Sequence, residues 1–307
     1  MTLSAQQDDA FGDLLTEAAD PRYAGIDVMS VAELAIVMNE ADATVPAAVR
    51  AAFPQIVPAL EAAVARVRAG GRLIYVGAGT PGRLGILDAS EVPPTFGLAP
   101  GRVVGLIAGG PAAIVSATEG AEDDREAGSA VIDEQQVGPA DAVIALASSG
   151  RTPFVLGAGA RARELGAATI GLSCNARTPL SAVVEFPIEV LVGPEVISGS
   201  TRLKAGTAQK LVLNMFSTIA MVQSGKTFGN LMVDVRASNA KLLDRAVRII
   251  RSLTGADDAV AEQALADAGN EVKVAVAALR LGIAADEAAL RLGRAGGRLR
   301  VVLEGSR

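Results

Sequence analysis

The chain has 307 residues, half of them hydrophobic, and its 28 Lys and Arg against 34 Asp and Glu give a net charge of -6. This length can bury one large core and a smaller one, and the acidic balance argues against nucleic acid or a membrane as partners. The sequence contains no histidine, the commonest general base and metal ligand, so we expect catalysis by carboxylates, lysines or hydroxyls without a metal or cofactor.

The first residues lack the basic start and apolar run of a signal peptide. The single cysteine, Cys174, cannot form an internal disulfide, which is typical of a protein from a reducing compartment. Both features predict a cytoplasmic protein.

Apolar runs alternate with helical patterns from residue 44 to residue 192. Apolar side chains recur every three or four positions over 45–67, which predicts a helix, and Pro54 and Pro58 predict a kink or a break in it. Buried strands are predicted at 73–76, 103–108, 142–147, 168–173 and 184–191, and helices at 112–132 and 154–165. This alternation predicts an α/β fold: a three-layer αβα sandwich with a parallel sheet.

Only helices are predicted beyond residue 192. They cover 204–223 and 239–252, and three short glycine-separated pieces follow between 257 and 304. We therefore expect a main domain over 1–253, including the N-terminal helices, and a small helical C-terminal domain, similar to a UBA domain, over 254–307.

A first glycine-rich loop, GAGTPG at 77–82, follows the predicted strand 73–76 and fits the G-x-G-x-x-G pattern,. A nicotinamide site would also need an acidic residue at the end of the next strand, where this chain has Gly109, Gly110 and Pro111 instead. The small residues still allow a phosphate to approach a helix N-terminus, so Gly79 and Thr80 are candidate ligands. A tight turn without any ligand is the alternative.

A second loop, SSGRTP at 148–153, is the stronger phosphate candidate. Its hydroxyls and its glycine stand between a predicted strand and a helix, where side-chain and backbone donors can converge on one anion. The candidate residues are Ser148, Ser149, Gly150, Arg151 and Thr152. The alternative is that Ser149 or Thr152 only caps the helix.

A third segment, GSTRLKAGTAQK at 199–210, places hydroxyls and cations before a highly apolar helix. Cations in a sequence that otherwise looks buried need a partner, which a phosphorylated ligand or a neighbouring subunit could provide. Ser200 and Lys204 are therefore candidate ligand residues, and a solvated helix start is the alternative.

Several motifs, in this order, resemble those of the N-acetylmuramic acid 6-phosphate etherases, a family of the sugar isomerase (SIS) domain superfamily. They lie at 70–91 (GGRLIYVGAGTPGRLGILDASE), 93–97 (PPTFG), 119–123 (EGAED), 149–154 (SGRTPF), 199–210 and 229–235 (GNLMVDV). The resemblance covers nearly the whole chain. It implies a carbon–oxygen lyase of cell-wall sugar recycling, and a homodimer with its site near the subunit interface.

The resemblance also implies a mechanism in which the D-lactyl ether is eliminated and water is then added, giving N-acetylglucosamine 6-phosphate and D-lactate. The acid/base glutamates of the family lie in the DASE and EGAED motifs, which correspond to Glu91 and Glu122. Glu91 is assigned to protonating the lactate oxygen and later activating water, and Glu122 to removing the C2 proton. Without the resemblance, both glutamates would be interpreted as ordinary helical charges.

Two positions depart from the family pattern. Pro81 replaces a serine and offers neither a hydroxyl nor an amide proton, and Phe154 replaces a tyrosine. Pro81 motivates an alternative hypothesis, a non-catalytic sugar-phosphate sensor, because the superfamily also includes binding modules and a regulatory protein of glucokinase. A sugar-phosphate isomerase is a third possibility, less attractive because such enzymes often use histidine.

Overall fold

The structure of the chain, a computed structural model, describes residues 14–116, 118–234 and 240–305. Two compact units can be distinguished. The first contains the described residues up to Ser90 and Val103–Ser217, and the second contains Glu91–Arg102 and the described residues from Thr218 onward. The domain boundary expected near residue 254 stays a prediction.

Three helices open the first unit: α1 (Val31–Asp42), α2 (Val45–Ala51) and α3 (Phe53–Arg68). The predicted break is confirmed, because α2 and α3 are separate helices. Pro54 lies in the first turn of α3, where its missing amide proton breaks no helical hydrogen bond, and Pro58 lies inside the helix,. No single described helix is long and apolar enough to cross a membrane; only 31–51 and 53–68 taken together, across a bend of 66°, pass that test.

A five-stranded sheet forms the centre of the first unit, in the order β2-β1-β3-β4-β5 with every pairing parallel. Its strands are β1 (Leu73–Gly77), β2 (Val103–Ile107), β3 (Ala142–Leu146), β4 (Ala168–Ser173) and β5 (Phe186–Glu189). Every residue of β1, β3 and β4 is buried. Such continuous burial is typical of parallel strands covered on both faces.

Helices cover the two faces of this sheet. They are α4 (Gly79–Phe96), α5 (Ala112–Val115), α6 (Arg125–Glu134), α7 (Pro153–Glu164), α8 (Pro179–Val183) and α9 (Lys204–Gln223). Ile74 packs in one core with Ile132 of α6 and Val155 of α7, whereas the next residue, Tyr75, faces Gly85 of α4. Successive strand residues thus point to opposite layers, which confirms the predicted αβα sandwich.

The predicted single helix over 112–132 is wrong. After α5, a 3-10 turn at Ala121–Asp123 follows Gly120, whose φ of +74° is left-handed and interrupts helical geometry,. The side chain of Asp124 then accepts a hydrogen bond from the amide of Ala127 and begins α6,.

The second unit contains a short antiparallel hairpin and a helical bundle. The hairpin strands are β6 (Thr227–Phe228) and β7 (Leu231–Met232), and the helices are α10 (Ala240–Thr254), α11 (Asp258–Asp267), α12 (Val272–Leu281), α13 (Ala285–Arg294) and α14 (Leu299–Glu304). The described residues beyond 257 thus form four helices where three were predicted, and the additional short α14 packs into the core through Leu299. Asn239, the predicted start of α10, lies outside the described residues.

Candidate functional site

The two predicted phosphate loops follow neighbouring strands of the sheet. The loop at 77–82 leaves the carboxyl end of β1, and the loop at 148–153 follows β3. β1 pairs with both β2 and β3, so the order of the strands reverses between β1 and β3. Ligands of open α/β sheets bind in the crevice outside the carboxyl ends of the strands at such a switch point. The tertiary fold thus brings the two loops to the position expected of a ligand site.

Backbone contacts to the segment after β4 hold the second loop in place. The carbonyl of Ser148 accepts hydrogen bonds from the amide of Cys174 (2.9 Å) and the side chain of Asn175 (3.0 Å). Gly150 has a left-handed φ of +67°, and a Cβ at this position would overlap the side chain of Thr178. The path of the loop therefore requires glycine at this position.

The hydroxyls of this loop do not cap the first turn of α7. Ser149 Oγ accepts a hydrogen bond from the Arg151 amide (3.2 Å), within the loop itself. Thr152 occupies the N-cap position of α7, but its side chain makes no capping hydrogen bond to the described residues. The first amides of α7 are thus left without a Thr152 cap, which suits an anion better than the capping alternative.

The first two turns of α9 adjoin both loops. A Cβ on Gly206 would lie 3.5 Å from Thr80 Cγ2 of the first loop. Ser148 Oγ of the second loop is 3.5 Å from Gln209 Oε1. Gly206 and Gln209 of the segment 199–210 therefore lie against the two predicted phosphate loops. Gly79 begins α4 beside Thr80 and is exposed, with a φ of +53°.

Lys204 and Ser200 are placed differently. The buried Lys204 ammonium donates to the carbonyl of Val192 (2.8 Å), and burial lowers the pKa of this group. Lys204 lines a separate cavity of about 480 Å³ together with Tyr23 and Thr44 of the N-terminal segment. Ser200 lies half-buried in the turn that precedes α9.

Glu195 is a buried residue near this site that the sequence analysis did not identify. Its carboxylate accepts hydrogen bonds from the amides of Lys204 and Ala205, each at 2.9 Å, and so caps the N-terminus of α9,. Burial raises the pKa of this carboxyl even though both amide bonds favour its ionised form. The sequence signal for this capping role was an acidic residue that lies inside an apolar stretch before a predicted helix.

A second unpredicted group connects β1, α4 and α9. The buried hydroxyl of Tyr75 donates to Asp88 Oδ2 (2.7 Å), and Asp88 Oδ1 accepts from Asn214 (3.0 Å) and Ser217 (3.1 Å). Burial raises the pKa of Asp88 and that of Tyr75. This polar cluster fixes α4 against β1 and α9 within the first unit.

The two candidate acid/base glutamates are both exposed. Glu91 lies on α4 in the second unit, and its carbonyl accepts a hydrogen bond from Thr95 Oγ1 (2.7 Å). Glu122 lies in the 3-10 turn after Gly120 in the first unit. Within the described ranges, no three His, Cys, Asp or Glu side chains are grouped so that they could hold a metal ion.

Pro81 and Phe154, which depart from the family pattern, are both buried. Pro81 lies in the first turn of α4, where an amide proton has no helical partner, so proline does not weaken the helix there,. Phe154 packs into the core beside the sheet. Both residues thus have a packing role close to the phosphate loops.

Comparison with known proteins gives both domain-level and full-length matches. The N-terminal SIS domain of glucokinase regulatory protein matches residues 55–162, and the C-terminal lid domain of glucokinase regulatory protein matches residues 229–281. The structure of a phosphoheptose isomerase from Francisella tularensis aligns with a TM-score of 0.49 and 18% identity, over 63% of this chain and 100% of that one.

Full-length relatives are much closer in sequence. The N-acetylmuramic acid 6-phosphate etherase of Rubrobacter xylanophilus is 57% identical over 301 residues, which are 98% of this chain and 99% of the relative. The protein of the same name from Streptomyces coelicolor is 53% identical, over 94% of this chain and 93% of the relative. Identity at this level extends through both units, far beyond the motifs that first suggested the resemblance. The chain therefore belongs to the N-acetylmuramic acid 6-phosphate etherase family.

Proposed function

We propose that this protein is an N-acetylmuramic acid 6-phosphate etherase, which uses water to convert its substrate into N-acetylglucosamine 6-phosphate and D-lactate. The observation that carries the proposal is 57% identity to an etherase over 98% of the chain. The hydroxyl-rich loop at 148–153 supports the proposal, because it lies at the switch point of the sheet, where a phosphate is expected to bind,.

In this proposal, the substrate phosphate binds to the loop at 148–153. The hydroxyls of Ser149 and Thr152 donate hydrogen bonds to it, and Arg151 adds a positive charge. Ser148 and Gly150 line the phosphate, while the Ser148 hydroxyl donates to Gln209 and the Gly150 amide donates to the carbonyl of Ala147. The other proposed substrate-binding residues are Gly79, Thr80, Ser200 and Lys204. Of these, Thr80 has the most direct structural support, because it adjoins α9, whose Gln209 adjoins the loop at 148–153.

Two glutamates carry out the proton transfers in this mechanism. With the sugar ring open, the C1 aldehyde acidifies the C2 proton, which Glu122 removes. The C3–O bond then breaks as Glu91 protonates the departing lactate oxygen. Glu91 then takes a proton from the water that adds at C3, and Glu122 returns a proton to C2. Carboxylates suit both roles in a chain without histidine,.

The test is D-lactate release from N-acetylmuramic acid 6-phosphate by the purified chain. Glu91→Gln and Glu122→Gln should each lower kcat by about 10²- to 10⁴-fold, the usual contribution of a general acid or base. Glu119→Gln, at an exposed glutamate three residues before Glu122, is the matched control and should keep its activity. Wild-type release no faster than that of Glu91→Gln would refute the proposal and favour the sensor hypothesis.

The division of roles can be tested separately by exchange of the C2 proton in D₂O. Glu122→Gln should lose exchange, whereas Glu91→Gln should retain it, because proton removal precedes lactate departure. The reverse pattern would exchange the two assignments.

A Pro81→Ser variant in the same assays should keep its turnover and lower KM if a hydroxyl at this position contacts the substrate. An unchanged KM would limit Pro81 to packing.

We also propose that the protein acts in the cytoplasm, in the recycling of cell-wall sugars, and as a homodimer with its site near the interface. The cytoplasm proposal is compatible with Cys174, which is buried; burial raises the pKa of its thiol to about 12 and keeps it unreactive,.

The dimer proposal is supported by exposed valine and isoleucine side chains on and before α1: Val28, Val31 and Ile36. Exposed apolar side chains that lie near one another in the chain are typical of a surface that another subunit covers.

A further inference from the structure

Gln209 is a polar residue on the buried side of α9. Its neighbours on that side are apolar and equally buried: Ala205, Ala208, Val212 and Phe216. A leucine or methionine at 209 would continue this stripe without any unpaired polar atom. The presence of a glutamine on this face therefore calls for a hydrogen-bonding role.

One end of the Gln209 amide has no partner in the first unit as the structure describes it. Oε1 lies 3.5 Å from Ser148 Oγ, whereas Nε2 is buried and makes no hydrogen bond to a described residue. Exchanging the two atoms of the amide would leave the oxygen unpaired instead. A buried amide that lacks a partner is destabilising, so a group from outside the chain is needed to satisfy it.

The surroundings of this amide point to the chemistry of the missing group. Ser148 is the first residue of the proposed phosphate loop, and hydrogen bonds from Cys174 and Asn175 fix its backbone. In the amide orientation of the structure the unpaired atom is a donor, so its partner is an acceptor such as an anionic oxygen,. The neighbouring first turn of α7, which Thr152 does not cap, favours the same kind of group,.

We infer that Gln209 is a ligand-binding residue whose Nε2 donates a hydrogen bond to a phosphate oxygen of the phosphorylated sugar. This inference rests on the proposed function and extends it, because Gln209 adds a donor from α9 to those of the loop at 148–153. The phosphate is then held between α9 and the N-terminus of α7. A sugar without the phosphate lacks the oxygen that this donor requires.

The test is calorimetric titration of the full chain with N-acetylglucosamine 6-phosphate and, separately, with N-acetylglucosamine. Gln209→Leu should raise Kd for the phosphorylated sugar about tenfold or more, the usual effect of losing a hydrogen bond to a charged group. Gln209→Glu should raise Kd further, because it places a negative charge beside the phosphate. Binding of the unphosphorylated sugar should be weak and equal in all variants.

The control is Gln223→Leu, at an exposed glutamine at the end of the same helix, which should keep the wild-type Kd. Melting temperatures report folding, and Gln209→Leu should melt at or above the wild-type temperature because leucine suits the buried stripe. A wild-type Kd for folded Gln209→Leu would overturn the inference and leave a buried water as the partner of the amide. Absence of phosphosugar binding by the wild type would overturn it as well.

The measured binding is independent of turnover. If the wild type binds the phosphorylated sugar through Gln209 but releases no D-lactate, the etherase proposal fails and the assignment of Gln209 stands. If lactate is released and Gln209→Leu binds the phosphorylated sugar with the wild-type Kd, the etherase proposal stands and the assignment of Gln209 fails.

Discussion

At the scale of single residues, the buried carboxyl of Asp88 makes stability depend on pH. Burial raises its pKa above the ordinary value of 3.8, so the folded chain binds this proton more tightly than the unfolded chain does. The stabilising contribution is therefore complete below pH 3.8 and is lost as the pH rises through the higher pKa of the folded state. In Asp88→Asn, this part of the pH dependence should disappear.

The measurement is the free energy of unfolding in urea at several values from pH 4 to pH 7. The difference between the wild type and Asp88→Asn isolates this carboxyl, because other buried acids such as Glu195 are present in both proteins. Asp27→Asn, at an exposed aspartate, should follow the wild-type curve. The prediction would be contradicted if the free energies of unfolding of the wild type and Asp88→Asn differed by the same amount at every pH in this range.

At the scale of elements, the short loop between β3 and α7 depends on the backbone of Gly150. Alanine there would have to adopt a left-handed φ and would overlap Thr178. We expect Gly150→Ala to lower the free energy of unfolding by about 1–3 kcal/mol. Because the loop must also shift, the affinity for N-acetylglucosamine 6-phosphate should fall more than the loss of stability alone explains.

Gly138→Ala is the matched control for this loop. A Cβ at Gly138 meets no atom within 4 Å, and its φ is not left-handed. This variant should keep both stability and affinity. Normal phosphosugar binding by folded Gly150→Ala would show that the exact path of the loop is unimportant for the ligand.

At the scale of the whole molecule, the exposed apolar side chains on and before α1 should decide the oligomeric state. The side chains of Val28 and Val31 are 83% and 85% exposed, and a second copy of the chain would remove them from water. We expect the wild type to be a dimer and a Val31→Glu, Ile36→Glu double variant to be a monomer, measured by light scattering after size-exclusion chromatography. Val260→Glu, at an exposed valine of α11, should remain dimeric, and a dimeric double variant would rule out α1 as the interface.

Features with a local cause were predictable from the sequence. The bounds of α9 agree with the predicted 204–223, because its length, apolar character and start signals all lie within one stretch of chain. Pro54 predicted the break between α2 and α3 for the same reason, whereas Pro58, which also predicted a kink or break, lies inside the continuous α3. The helix predicted over 112–132 failed because the left-handed Gly120 interrupts a pattern whose apolar spacing alone looks continuous,.

The sequence by itself determined the class of fold, the position of the two candidate phosphate loops and the family, since each depends on residues close together in the chain or on motifs in a fixed order. Only the tertiary structure decided which distant side chains meet. Ser148 and Gln209 are 61 positions apart, and Asp88 and Ser217 are 129 apart. Local periodicity records which face of an element is buried but not what it is buried against, so the polar partners of Gln209, Glu195 and Asp88 emerge only when the sheet and its helices are assembled.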